Sequence, residues 1–167
     1  MRFIKLALIS LVVFAIILSA FSILLPSKIN VSKAIDINAP TDSIISNIAD
    51  LSNWHRWYAD SSSAKISNPS TGKGASISFA KSTVTILSSG SNTIKAEWRT
   101  KDNTPMVGAF NIYKDSSDVI TTVQWHFIQE VKWYPWEKFA SIVSSKAIAP
   151  FMEKSLDKLK VQVETNR

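Results

Sequence analysis

The chain has 167 residues, no cysteine and a formal net charge of +6. The absence of cysteine excludes a disulfide framework and thiol chemistry. The lysines are spread along the chain rather than massed, which argues against nucleic acid as a partner and leaves a solvated, mildly basic surface with some affinity for anionic lipid.

Residues 6–25, LALISLVVFAIILSAFSILL, carry no charge. A helix of that length rises about 30 Å, the thickness of a bilayer core. Arg2 and Lys5 precede the run and Pro26 ends it. The pattern predicts an N-terminal transmembrane signal anchor over residues 1–26 and one folded domain over residues 27–167. The domain's roughly 140 residues suffice for a real core. A cleaved signal peptide is the competing reading, with Ala20-Phe21-Ser22 as its small-x-small site. The apolar run is longer than such a segment needs and continues past that site. The basic N-terminus predicts a single-pass protein of the cell membrane with its domain on the extracytoplasmic side. Lys28 and Lys33, just beyond the span, make the charge asymmetry slight.

Residues 31–37 alternate, with Val31, Lys33, Ile35 and Ile37 on one face, and predict a first strand in spite of the lysine. Ala39-Pro40 ends it. Thr41 or Asp42 is then placed to cap a helix, because a side-chain oxygen accepts the free N–H groups of the first turn. Ile44, Ile45, Ile48 and Leu51 share one face of that helix. A second short helical turn is expected over residues 52–57, capped by Ser52 or Asn53. It carries Trp54 and Trp57, which three-residue spacing puts on one side.

Short strand-like runs follow. Residues 64–67 lead into a loop at 68–74 that holds Gly72 and Gly74. Residues 75–80 set Ile77 and Phe79 on one side, and residues 82–88 run to a Ser-Ser-Gly-Ser-Asn turn at 88–92. Residues 93–100 alternate cleanly, Ile94, Ala96 and Trp98 against Lys95, Glu97 and Arg99. A turn is expected at 101–105, then strands at 107–114 and 119–130 joined by a turn at 115–118. Strands in series with short turns predict an antiparallel meander. The chain closes with helix over residues 136–146, interrupted or restarted at Pro150, which lacks an N–H and clashes with the preceding turn. Beyond it, Met152, Leu156, Leu159 and Val163 form one apolar stripe. An α+β domain results, a long C-terminal helix laid across a curved antiparallel sheet.

This order resembles the START-like helix-grip fold of the SRPBCC superfamily, the polyketide cyclase/dehydrase and lipid-transport group. The resemblance rests on IDINAP at residues 35–40, Ile48-Ala49-Asp50, and WHRW at residues 54–57. Gly72-x-Gly74, Val123-Gln-Trp125, and Leu156-x-x-Leu159-Lys160 with Glu164 add to it, and a membrane segment before the first strand is similar to bacterial members. It implies an apolar cavity between sheet and long helix. It implies no catalytic residue, because the superfamily spans carriers, enzymes and stress proteins without a shared motif.

The sequence contains no G-x-S-x-G, phosphate-binding loop or dinucleotide fingerprint. His55 and His126 are the only histidines, and neither lies at metal-ligand spacing from an acidic residue. Neither a metal nor a cofactor is expected. If His126 points inward it is a candidate acid or base. If Glu97 and Arg99 face the cavity they are candidates for a polar ligand head; the alternative is a solvated outer face. The aromatic residues carry the binding expectation: Phe79, Trp98, Phe110 or Tyr113, and Trp125 or Phe127 fall on separate strands, with the faces of the last two left open. Trp57 is expected as a core plug and Trp54 as a cavity rim, with His55 and Arg56 outward. A second cluster, VKWYPW at residues 131–136, either packs the strand–helix junction or presents Trp133 and Tyr134 to a bilayer interface. The expected function is a membrane-anchored domain holding a small hydrophobic or lipid-like ligand against Trp54, Trp57, Phe79, Trp98, Phe110, Trp125 and Phe127, without catalysis. The alternatives are a cyclase- or hydrolase-like enzyme using His126 or a buried carboxylate, and a structural module with a filled cavity.

Overall fold

Where apolar and polar side chains alternate cleanly, as over residues 93–100, the computed structural model turns the apolar side inward. It describes residues 2–25, 27–59, 61, 63–100, 105–114 and 120–165. In chain order the elements are helix α1 (Arg2–Leu24), strand β1 (Lys28–Ile37), helix α2 (Thr41–Ala49), a 3₁₀ turn (Leu51–Asn53) and the short helix α3 (Trp54–Trp57). Then come β2 (Lys65–Ile66), β3 (Ser76–Ser78), β4 (Ser82–Ser89), β5 (Thr93–Thr100), β6 (Met106–Lys114), β7 (Thr121–Glu130) and the long helix α4 (Pro135–Thr165). Residues 101–104 of the turn expected at 101–105, the turn expected at 115–118, and Pro26 as the stop of α1 lie outside the described residues.

The strands form one antiparallel sheet in the order β1-β7-β6-β5-β4-β3-β2. β2 to β7 are a meander, and β1 returns to pair with β7, from Lys28↔Glu130 to Ile37↔Thr121. That ladder starts β1 three residues earlier than its clear alternation does. A register shift between Ile86 and Ser88 bends β4, which adds to the local twist. The inner face carries Ile37, Ile77, Val84, Ile86, Ile94, Ala96, Trp98, Phe110, Ile112, Val123, Trp125 and Phe127, all buried. Against it pack Ile44 and Ile48 of α2 and Met152, Leu156, Leu159 and Val163 of α4.

Polar contacts lash α4 to β1. Lys33, the lysine on the apolar face of β1, is ion-paired with Glu153, so its charge sits at the helix edge while its stem covers apolar surface. Lys160 Nζ donates to the Asp36 carbonyl at 2.8 Å, and Glu164 accepts the Asn38 backbone N–H at 2.8 Å.

Three local expectations are corrected. α4 does not stop at Pro150 but runs through it. Pro150 is solvent-exposed there, and the stripe beyond it buries enough apolar surface to hold the helix past the missing hydrogen bond. The N-cap of α2 is Pro40, whose carbonyl receives the Ser43 and Ile44 N–H groups; Thr41 is the first helical residue and turns its hydroxyl toward Thr121. Asn53 occupies the N-cap position of α3, as expected, but its side chain makes no capping hydrogen bond; the capping side chain is that of Asp50 at the start of the 3₁₀ turn, whose carboxylate accepts the Ser52 N–H at 2.9 Å.

α1 stands apart from the core. It is long and apolar enough to cross a membrane by length and composition, and its large apolar side chains from Phe3 to Leu24 are mostly exposed.

Candidate functional site

The seven aromatic residues singled out in the sequence converge on one place. Trp54, Trp57, Trp98, Phe110, Trp125 and Phe127 touch ring to ring between the sheet and α4, and Phe79 joins them through Tyr58. The alternatives on β6 and β7 resolve by parity. Phe110 points inward and Tyr113 outward; Trp125 and Phe127, two apart, both point inward.

Each position has a local cause. Trp54 and Trp57 lie on one side of α3 with ring centroids 4.8 Å apart. Their indoles reach back to the end of α2, where Trp54 Nε1 donates to the Ile48 carbonyl at 2.9 Å and Trp57 Nε1 to the Asn47 carbonyl at 3.2 Å. The last carbonyls of a helix have no partner inside it, so these tryptophans cap α2 as well as fill the core. That corrects the expected division of labour: Trp54 is no rim residue but is fully buried like Trp57, because its hydrogen bond draws the ring beneath α2. His55 and Arg56 are exposed, as expected.

On the sheet, Phe110 stacks on its cross-strand partner Trp125 with centroids 4.8 Å apart. Trp98 meets the edge of Phe127 at 4.6 Å. Gly108 makes that contact possible, since a Cβ there would lie 2.8 Å from the Trp98 ring, the Phe127 ring and the His126 carbonyl oxygen. Two further rings complete the cluster without having been expected. Tyr58 stacks on Phe79 at 4.6 Å, and its hydroxyl accepts from Trp98 Nε1 at 3.1 Å. Phe151 meets Tyr58 edge-on at 5.1 Å. Tyr58 is the C-cap residue of α3, next to Trp57, and Phe151 lies within α4, next to Met152.

The polar inventory of the cluster is short. Among the described residues no Asp, Glu, Arg or His is buried, and the buried Lys138 lies at the end of α1 rather than among these rings. Of its four indoles, three have acceptors. The fourth, Trp125, is fully buried and its Nε1–H meets no acceptor among the described residues. His126 lies on the outer face of β7 with Nδ1 3.5 Å from the Asn111 amide, and Glu97 and Arg99 are paired on the outer face of β5 at 2.7 Å. None of the three faces the cluster, so neither an inward His126 nor a Glu97–Arg99 head-group site is realised. Among the described residues no three His, Cys, Asp or Glu side chains come together as a metal site.

Phe79 is where the cluster approaches solvent. It borders an open hollow of about 340 Å³ lined also by Lys81, Thr83 and Arg99. Asp50, just before the 3₁₀ turn, has a shifted acidity. Partial burial pushes its carboxyl up, but hydrogen bonds from the Ser52 side chain and N–H and from the Ser70 hydroxyl outweigh this and hold it below the ordinary carboxylate value.

No protein-family model and no curated protein matches the chain. Solved structures do. A START superfamily protein from Mycobacterium smegmatis aligns with a TM-score of 0.64 at 16% identity, covering 83% of this chain and 99% of that one. CalU16 from Micromonospora echinospora aligns at 0.62 and 12%, covering 80% and 73%. A hypothetical protein from Helicobacter pylori aligns at 0.61 and 12%, covering 81% and 88%. With the seven-stranded sheet, the long C-terminal helix and this backbone agreement, the chain has the START-like helix-grip fold.

Proposed function

We propose that the chain is a membrane-anchored binding domain that takes up a small hydrophobic or amphipathic molecule such as a lipid between its sheet and α4, and does not transform it. The carrying observation is the Trp125 indole. A buried donor without an acceptor costs about 1–3 kcal/mol, and native interiors rarely leave one. A ligand that is apolar over most of its surface and bears one acceptor oxygen satisfies that N–H while its body meets only rings and aliphatic side chains. Among the described residues no carboxylate or histidine is buried, and Tyr58, the phenol of the cluster, has its hydroxyl engaged by Trp98, which weighs against the cyclase- or hydrolase-like alternative built on His126 or a buried carboxylate. The apolar length of α1, with Arg2 and Lys5 in its first turn, supports anchoring with the domain on the extracytoplasmic side.

A specific observation favours a second reading. The rings touch one another across the interior, with centroid separations of 4.6–6.3 Å. An interior so filled describes a structural or partner-binding module. The ligand reading requires the rings to part, and Phe79 with Tyr58 at the solvent edge is the place for it.

A diazirine-bearing fatty acid, photolysed with the full chain in membranes, separates the two. The ligand reading expects label on peptides carrying Trp98, Phe110 or Trp125, reduced several-fold in Trp125→Phe. Label confined to α1, as bulk lipid would leave it, contradicts it.

A further inference from the structure

The first half of α4 does not belong to the core. From Trp136 to Val143 its large apolar side chains point to solvent: Trp136 is 67% exposed and Val143 70%, with Phe139 and Ile142 also exposed. Trp136, Phe139 and Val143 recur at i, i+3 and i+7, one face of the helix. Trp133, in the link from β7, is exposed beside them. Lys132 and Lys146 flank the patch and are exposed.

This patch is tied to the end of α1. Lys138, the buried cation among these apolar residues, donates from Nζ to the carbonyls of Ser22 and Leu25, each at 2.7 Å. It thereby supplies donors to the free carbonyls at the end of α1. Ser22 Oγ donates to the Trp133 carbonyl at 2.6 Å, and the Val131 N–H donates to the Ser27 carbonyl at 2.9 Å. Ser22 lies within the last turn of α1, about 3 Å of rise from its end. If α1 crosses a bilayer, the backbone at Trp133 is therefore held at the depth where the chain leaves it.

We infer that Trp133 and the Trp136–Phe139–Val143 face of α4 lie in the membrane–water interface, as an in-plane amphipathic segment that fixes how the domain sits on the lipid. The occupant is the lipid surface itself. Indole rings partition to that depth, an apolar helical face with flanking lysines suits the boundary between acyl chains and anionic headgroups, and the patch continues directly from the span. The inference rests on the reading of α1 as a membrane anchor.

The chain's lack of cysteine allows single spin labels to test both at once. The full chain carrying Ile17→Cys, Val143→Cys or Val161→Cys is reconstituted in vesicles of phosphatidylethanolamine and phosphatidylglycerol. Accessibility is then read with oxygen, which concentrates in lipid, and a water-soluble nickel chelate. All three sites are exposed positions, so circular dichroism should be unchanged. The expected result is a deep label at 17, an interfacial label at 143 with oxygen accessibility several-fold above nickel, and the reverse at 161. A deep label at 17 with 143 as wet as 161 overturns the interfacial segment and leaves the anchor standing. A wet label at 17 overturns both. Spin–spin broadening at 143 that disappears on dilution with unlabelled protein assigns the patch to a second copy and overturns the inference as well.

Discussion

Gly108 shows how finely the ring cluster is fitted. A methyl group there meets a backbone carbonyl and two packed rings at 2.8 Å, none of them the free end of a flexible side chain. Gly108→Ala is expected to destabilise the domain by about 1–3 kcal/mol through overpacking, measured by chemical denaturation; an unchanged midpoint would show that the cluster has slack. Asp50 offers a test with a sign. Its folded acidity is held below the ordinary value, so its contribution is present above the unfolded pKa of about 3.9 and is lost as pH falls through the folded pKa. Asp50→Ala should cost about 1 kcal/mol at neutral pH through the lost cap, and less below about pH 4. Thermal melts across that range check it, and a cost that grows on acidification contradicts it. That Trp54, Trp57, Phe79 and Trp98 turn inward was legible because each is a large ring in an alternating or helical pattern. What the sequence hid was the second function of Trp54 and Trp57. Nothing in a one-dimensional pattern tells an indole that caps a neighbouring helix from one that only fills space.

At the scale of elements, the alternation in β5 and the stripe from Met152 to Val163 predicted their faces correctly, because both have one wet and one dry side. β6 and β7 resisted, since Tyr113 and Ile128 put large apolar groups on the outer face too; cross-strand register with β1 and β5 decides it. α4 defied its proline. Pro150 leaves the Lys146 carbonyl without its helical partner and strains the preceding turn, yet the helix continues because the core stripe lies beyond that point. Pro150→Ala should therefore raise stability, by up to about 3 kcal/mol, seen as a shifted denaturation midpoint. A loss of stability would mean that a bend at Pro150 is needed to bring Phe151 onto Tyr58. The Lys33–Glu153 pair is partly exposed, with side-chain accessibilities of 34% and 54%. Lys33→Met is expected to change stability by less than about 1 kcal/mol, and a larger loss would show the pair to be a clamp on α4.

For the whole molecule, the helix-grip order was readable from the succession of elements and the long closing helix, and the solved structures share it at 12–16% identity. The state of the space inside was not readable. Sequence shows how many rings there are, but whether they line a void or fill it depends on sub-ångström fit among side chains from α3, the sheet and α4. Membrane attachment belongs to this scale as well. With α1 as an uncleaved anchor, the full chain should remain with the membrane after alkaline carbonate extraction, and recovery in the soluble fraction with residues 1–22 missing would instead assign a cleaved signal. The central claim is that the interior accepts a ligand. Native mass spectrometry of the full chain, released from nanodiscs after purification from cells and compared with its denatured mass, tests it most directly. The account predicts a discrete non-covalent adduct that survives removal of bulk lipid and is lost or weakened in Trp125→Phe. A clean apo mass, with no uptake on exposure to a lipid extract, would contradict it and identify the ring cluster as a closed structural core.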